Sequence, residues 1–205
     1  MNTALVSASI RGNAEVVRLL LLAEGEASSP RVENNRTALM HACANGYIGV
    51  VKLLLAHSMA DLNAIDKDGK TALMYAAAGG HTGVVKLLID KPSIDVNIRD
   101  NCGDTALLYA TQKNAIDVIL MLLRLQKTEV NHLGREQKAA FNLFRYDAHS
   151  EKDSQEVVEL FFEKGAYAIS SVKVLALEGP KDWYNNKVLI PAAVMTGALA
   201  NLAKS

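Results

Sequence analysis

Four threonines, Thr3, Thr37, Thr71 and Thr105, stand at a constant period of 34 residues, and each opens the same phrase. Thr3-Ala4-Leu5-Val6-Ser7-Ala8 returns as Thr37-Ala38-Leu39-Met40-His41-Ala42, then as Thr71-Ala72-Leu73-Met74-Tyr75-Ala76 and Thr105-Ala106-Leu107-Leu108-Tyr109-Ala110. A repeat of this length constrains the fold more tightly than composition does. Each unit is too small to bury its own apolar face, so units must stack in line and pack on their neighbours, which makes a solenoid.

The third unit, Asp66 to Asn97, shows the parts. Asp66-Lys67-Asp68-Gly69 is turn chemistry, with a glycine able to take positive φ. Thr71 precedes Ala72, Leu73, Ala76 and Ala77, and its hydroxyl predicts a cap on a first helix. Leu73, Ala76 and Ala77 share one face at helical spacing. Gly80 ends that helix, and its equivalents are Gly12, Gly46 and Asn114. Glycine and asparagine best tolerate the left-handed conformation that closes a helix, so the change at Asn114 keeps the geometry. A second helix follows from Gly83 to Ile89. Its apolar positions recur as Val16, Val17, Leu19 and Leu20, as Val50, Val51, Leu53 and Leu54, and as Val118, Ile119, Met121 and Leu122. Leu54, Leu88 and Leu122 are the expected core at unit interfaces. Asp95-Val96-Asn97 then leads to the next turn, matched by Asp61-Leu62-Asn63 and Glu129-Val130-Asn131.

Turn, short helix, tight glycine, longer helix and Asp-Val-Asn together resemble the ankyrin repeat. Asp66, Gly69, Thr71, Leu73, Ala76, Ala77, Gly80, His81, Val84, Val85, Leu88, Asp95, Val96 and Asn97 fill that family's pattern. Two departures recur in every unit. Alanine (Ala4, Ala38, Ala72, Ala106) replaces the family's proline, and Val6, Met40, Met74 and Leu108 replace its histidine. The unit is also one residue longer than the usual length of roughly 33, with the extra residue placed near Lys91-Pro92-Ser93. The Thr-Ala-Leu-Met variant is similar to the large ankyrin families of some flagellated protozoa, several of which carry a kinase-like domain. The resemblance implies an all-α solenoid of helix-turn-helix units with short β-hairpin fingers.

Four repeats are expected over residues 1–131, at about 1–31, 32–65, 66–99 and 100–131. Beyond Asn131 the phrase decays. Ala139-Ala140-Phe141 takes the place of Thr-Ala-Leu, Asp147 to Glu156 reads as a charged loop insertion of about five extra residues, and Val157 to Phe162 resumes the second helix. Residues 132–166 are therefore expected to form a divergent fifth repeat. Residues 167–205 are expected to form a C-terminal helical cap or a degenerate sixth repeat, with Trp183 and Tyr184 as an alternative partner site. Met1 stands two residues before the first threonine, so the first unit lacks its leading turn. Either the repeat is shortened there or the chain is the cut end of a longer protein.

The 22 basic and 22 acidic residues cancel, which argues against a general electrostatic nucleic-acid binder. No apolar run reaches the roughly 18 residues of a membrane span, and no basic start precedes an apolar stretch as in a secretory signal. Two cysteines are too few for a disulfide framework. These features predict a chain in a reducing compartment, the cytoplasm, with the nucleus also open, and a partner that is neither nucleic acid nor membrane; a monomer is expected.

No constellation for catalysis, metal or cofactor emerges. His41, His57, His81, His132 and His149 lack metal-ligand spacing, and no glycine-rich phosphate loop is present. Cys43 occupies an alanine slot and reads as buried, and Cys102 reads as an exposed turn residue. The resemblance implies a different kind of site, in which turns project as fingers and first helices line a concave face. On matching positions these are Glu33, Asn34, Arg36, Ala44 and Asn45, then Lys67, Asp68, Lys70, Ala78 and Gly79, then Asn101, Cys102, Asp104, Gln112 and Lys113. Mixed charge along this strip predicts a polar partner surface without steering by one sign. Tyr75 and Tyr109 are candidates either for partner anchors or for packing between units. The implied function is a protein-binding scaffold or adaptor. Alternatives are a regulatory or targeting fragment of a kinase-like multidomain protein, or an ankyrin-type kinase inhibitor.

Overall fold

The computed structural model describes residues 4–24, 33–57, 61–134, 139–145 and 151–166. Within them the chain is a succession of antiparallel helix pairs. The pairs are α1 (Ala4–Ile10) with α2 (Ala14–Glu24), α3 (Ala38–Ala44) with α4 (Ile48–Ala56), α5 (Ala72–Gly79) with α6 (Thr82–Ile89), and α7 (Ala106–Lys113) with α8 (Ile116–Arg124). Two further helices follow, α9 (Ala140–Leu143) and α10 (Glu151–Glu163). First helices pack on first helices along α1, α3, α5, α7 and α9. Second helices pack along α2, α4, α6, α8 and α10. The expected all-α repeat solenoid is observed.

Local chemistry sets the helix ends. The hydroxyls of Thr37, Thr71 and Thr105 accept the backbone N–H of Met40, Met74 and Leu108 at 3.2, 3.3 and 3.4 Å. In the second and third units the methionine returns the contact, its sulfur accepting the N–H of Thr37 or Thr71 at 3.4 Å. A thioether is a weak acceptor. It nonetheless gives the methionines at the family's histidine position a part in the cap. At the other end, Gly80 and Asn114 close α5 and α7 with φ of 68° and 55°.

The small first helices approach closely because alanines fill their faces. Ala42, Ala76, Ala77 and Ala110 are all fully buried. Leu54, Leu88 and Leu122 are buried as the periodicity requires. His81 stitches two units together, its Nε2 lying 3.1 Å from the carbonyl of Ala44. At the outer loops, Asn63 and Asn97 each clamp the following unit. Their side chains donate to the carbonyls of Ser93 and Lys127, and accept from the N–H of Asp95 and Glu129. Asn131 donates in the same way to Gly165, at 3.0 Å. Among the described residues, the first unit's second helix has no preceding unit against it. Val16 on α2 is 39% exposed, whereas its equivalents Val50, Val84 and Val118 are at most 1% exposed beneath the preceding unit.

Two expectations need correction. Among the described residues no strand forms, and Thr37 alone is an isolated bridge position. The fingers are tight turns instead. The Asp66 N–H donates to Lys70 O and the Gly69 N–H to Asp66 O, both at 3.1 Å, and Asp100, Asp104 and Gly103 repeat the pattern. The carboxylate of Asp66 also accepts the N–H groups of Asp68 and Lys70 at 2.9 Å, closing the loop on itself and leaving no length for a ladder. The second correction concerns the charged stretch before Val157. Residues 146–150 lie outside the described set, but Glu151 to Glu156 already belong to α10. That helix buries Ser154, Val157, Val158 and Phe161 on one face. Phe161 meets Phe141 edge to face at 5.5 Å, and this apolar stripe holds the helix despite its charged beginning. Residues 167–205, with Trp183 and Tyr184, lie outside the described residues.

Candidate functional site

The fingers are joined tip to tip. The Lys67 N–H donates to Asn34 O at 3.0 Å, and the Asn101 N–H donates to Asp68 O at 2.9 Å. The Asn101 side chain donates to Lys67 O at 2.9 Å. Asn34 and Asn35 take positive φ, 69° and 62°, which asparagine tolerates better than most residues. Gly69 is required where the third finger meets the fourth, since a Cβ there would stand 2.8 Å from the Asn101 backbone nitrogen. The row of tips is thus a fixed edge built from backbone.

Behind the tips runs a column that alternates cations and rings. The Arg36 guanidinium lies over the Tyr75 ring, 4.7 Å from its centroid. The Lys70 ammonium lies 5.9 Å from the Tyr75 centroid and 5.3 Å from that of Tyr109. Each tyrosine is anchored from within its own unit: Tyr75 OH donates to Asp66 Oδ2 at 2.6 Å, and Tyr109 OH donates to Asp100 Oδ2 at 2.7 Å. Arg36 completes its side of the column with an ion pair to Asp66 at 3.2 Å.

These contacts set the electrostatics. Burial pushes the Asp66 carboxyl up, but hydrogen bonds from Tyr75, Lys70 N–H, Arg36 and Asp68 N–H outweigh it and hold the group below the usual carboxylate range. Burial, then the hydrogen bond to Asp66 and that residue's charge, push the Tyr75 hydroxyl well above an ordinary phenol. The second unit lacks the carboxylate, since Val32 occupies the sequence position of Asp66 and Asp100. His41 stands there in place of tyrosine, and its buried Nε2 has no hydrogen-bond partner among the described residues. Burial, and then the Arg36 charge, hold the His41 pKa below that of an ordinary histidine.

The expected strip is therefore only partly a free surface. Arg36, Lys70, Tyr75 and Tyr109 come together in the column, and Asn34, Lys67, Asp68 and Asn101 in the row of tips. Asn45 is exposed at the end of α3, its side chain donating to His41 O at 2.9 Å. Gln112 and Lys113 are exposed at the end of α7. The side chain of Glu33 lies outside the described residues. Asp104 is a correction: it is 1% exposed and cannot meet a partner. Its N–H donates to Asp100 Oδ1 at 2.8 Å, and its carboxylate packs against Gly134 of the following loop. The second and third units carry a cation at this position that reaches a ring, whereas the fourth carries an acid that folds under. Cys43 is buried, which raises its thiol pKa, and Cys102 is exposed. Asp66 and Asp100, the residues that fix the tyrosines, were not among the expected site residues. Their signal was present, because an aspartate recurs nine residues before each tyrosine.

Among the described residues no cluster of His, Cys, Asp and Glu could hold a metal ion, and no helix is long and apolar enough to cross a membrane. The family model described as ankyrin repeats (3 copies) matches residues 1–66 and again 57–133. The chain belongs to the ankyrin repeat family. Repeats of this kind are in general protein–protein interaction modules and typically non-catalytic. No curated protein matches the chain.

Proposed function

We propose that this chain is a non-catalytic adaptor that captures one partner protein on its finger and first-helix side. The observation that carries this reading is the column of Arg36, Tyr75, Lys70 and Tyr109 behind a rigid row of tips. Its rings are held by buried carboxylates and are only partly covered. A rigid aromatic with a fixed hydroxyl loses little entropy on binding, which suits an anchor. Among the described residues, the opposing second-helix side offers exposed lysines such as Lys52 and Lys86 with no alternating column of cations and rings. The reading includes a monomeric cytoplasmic chain of four repeats over residues 1–131 and a divergent fifth over 132–166. The clamp from Asn131 to Gly165 supports the fifth repeat, since it repeats the clamp from Asn97 to Lys127.

The test is site-specific photo-crosslinking in cells, with a benzophenone amino acid placed at exposed Gln112 or at exposed Lys86. Crosslinks to one protein from position 112, and none from position 86, are expected. The reverse pattern would move the binding surface to the second helices and end this reading.

A further inference from the structure

The strip carries charges of both signs, but the fold sorts them by depth. Of the finger acids Asp66, Asp68, Asp100 and Asp104, three are buried, at 5%, 6% and 1% exposure for Asp66, Asp100 and Asp104. Each of those three is engaged within the protein. Asp66 accepts from Arg36, Tyr75 and two backbone N–H groups. Asp100 accepts from Tyr109, Cys102 N–H and Asp104 N–H. None of the basic residues Arg36, Lys67, Lys70 and Lys113 is buried. Among the described side chains, a partner approaching this face therefore touches cations and ring faces, with Asp68 the exposed finger carboxylate.

The repeat itself shows which cation is unspent. Arg36 and Lys70 are equivalent residues of successive units, and each lies over the tyrosine of the next. Arg36 has an ion pair with Asp66. Lys70 has no carboxylate within ion-pair distance among the described residues, although Asp100 is the equivalent of Asp66. Arg36 meets Asp66 through Nε while its guanidinium carbon lies over the Tyr75 ring, and a lysine carries no donor at that point of its stem. Among the described residues Lys70 is left as a half-buried cation between two aromatic rings, with no carboxylate paired to it. Such a group gains more from an incoming carboxylate than a fully hydrated surface lysine does.

We propose that the surface takes an acidic, extended peptide segment of the partner, with one carboxylate seated on Lys70 between Tyr75 and Tyr109 and further acids facing Lys67 and Lys113. This rests on the reading that the finger and first-helix side is the binding surface, and it assigns the chemistry of the partner. Charge sorted in this way also favours faster encounter with an acidic partner and weaker binding as salt rises.

The test selects binders from a displayed random dodecapeptide library on the immobilised full chain, then measures the enriched peptides by fluorescence anisotropy. Enriched peptides should be rich in Asp and Glu. Their affinity should fall at least about tenfold on Lys70→Met, which keeps the stem and removes the charge, and stay unchanged on Lys86→Met. The same affinity should weaken between about 50 and 500 mM NaCl. Circular dichroism and melting of Lys70→Met should match the parent chain, because the Lys70 backbone keeps its bond to Asp66. Failure to enrich acidic peptides overturns the proposal. So does displacement of every enriched acidic peptide by heparin at equal charge concentration, which would mark a general polyanion surface. If neutral or basic peptides are enriched and Gln112→Trp blocks them, the acidic assignment fails while the binding surface stands. If Lys86→Trp blocks them and Gln112→Trp does not, both fail.

Discussion

Leu88→Ala is expected to destabilise the chain by about 2–5 kcal/mol, the range for emptying a filled core position. Leu88 has no exposed surface and lies on α6, which packs against α4 on one side and α8 on the other. Removing its isopropyl group opens a cavity shared by one unit and its neighbours. Backbone that is stacked on both sides has little freedom to collapse into it. The equivalent Leu20 on α2 is only partly buried and, among the described second helices, has α4 beside it on one side. Leu20→Ala should therefore cost clearly less. Urea denaturation followed by far-ultraviolet circular dichroism checks the order, and equal or reversed losses would contradict nearest-neighbour stacking.

Asp66→Ala is expected to be comparably severe, at about 2–5 kcal/mol, because a buried acceptor of four hydrogen bonds is removed and each buried donor left unsatisfied costs about 1–3 kcal/mol. The substitution takes the acceptor away from Arg36, Tyr75 OH and the N–H groups of Asp68 and Lys70 together. It opens the third finger and unseats the ring beneath Arg36, so the tip contact between Lys67 and Asn34 should loosen as well. A pH dependence accompanies this. Because the folded carboxyl sits below its ordinary value of 3.8, its contribution is complete above that value and disappears as pH falls through the lower folded one. The parent chain should lose stability on acidification below about pH 4, and Asp66→Asn should lose less over the same interval. Parallel acid curves for the two proteins would show that the carboxylate does not contribute in this way.

Some of this was legible in the chain because its consequences are local. A threonine before Ala-Leu caps whichever helix follows, and Gly80 and Asn114 both satisfy the same left-handed position. Periodic leucines at 54, 88 and 122 must face the neighbouring units. The column of Arg36, Tyr75, Lys70 and Tyr109 was not legible, because it joins the residue before one cap to the first helix of the next unit. Only the recurring interval from aspartate to tyrosine hinted at it. Asp104 misled for a related reason. Its position in the repeat is that of Arg36 and Lys70, but the reversed sign sends the side chain inward against Gly134 rather than across a ring. The charge at Glu151 to Glu156 concealed a helix whose buried residues begin at Ser154. The methionines at the family's histidine position looked like simple apolar replacements, and only the three-dimensional cap shows their sulfurs accepting the threonine N–H.

A bound partner should touch the finger turns and the ends of the first helices. Amide hydrogen exchange of the full chain, free and saturated with a protein it captures, reads that contact, because the turns at Asp66–Lys70 and Asp100–Asp104 are short and carry exposed residues. The account requires slowed exchange in those turns and at the ends of α5 and α7, with α4, α6 and α8 unchanged. Slowing confined to α4, α6 and α8, with the finger turns as in the free chain, would place the partner on the second helices and contradict it.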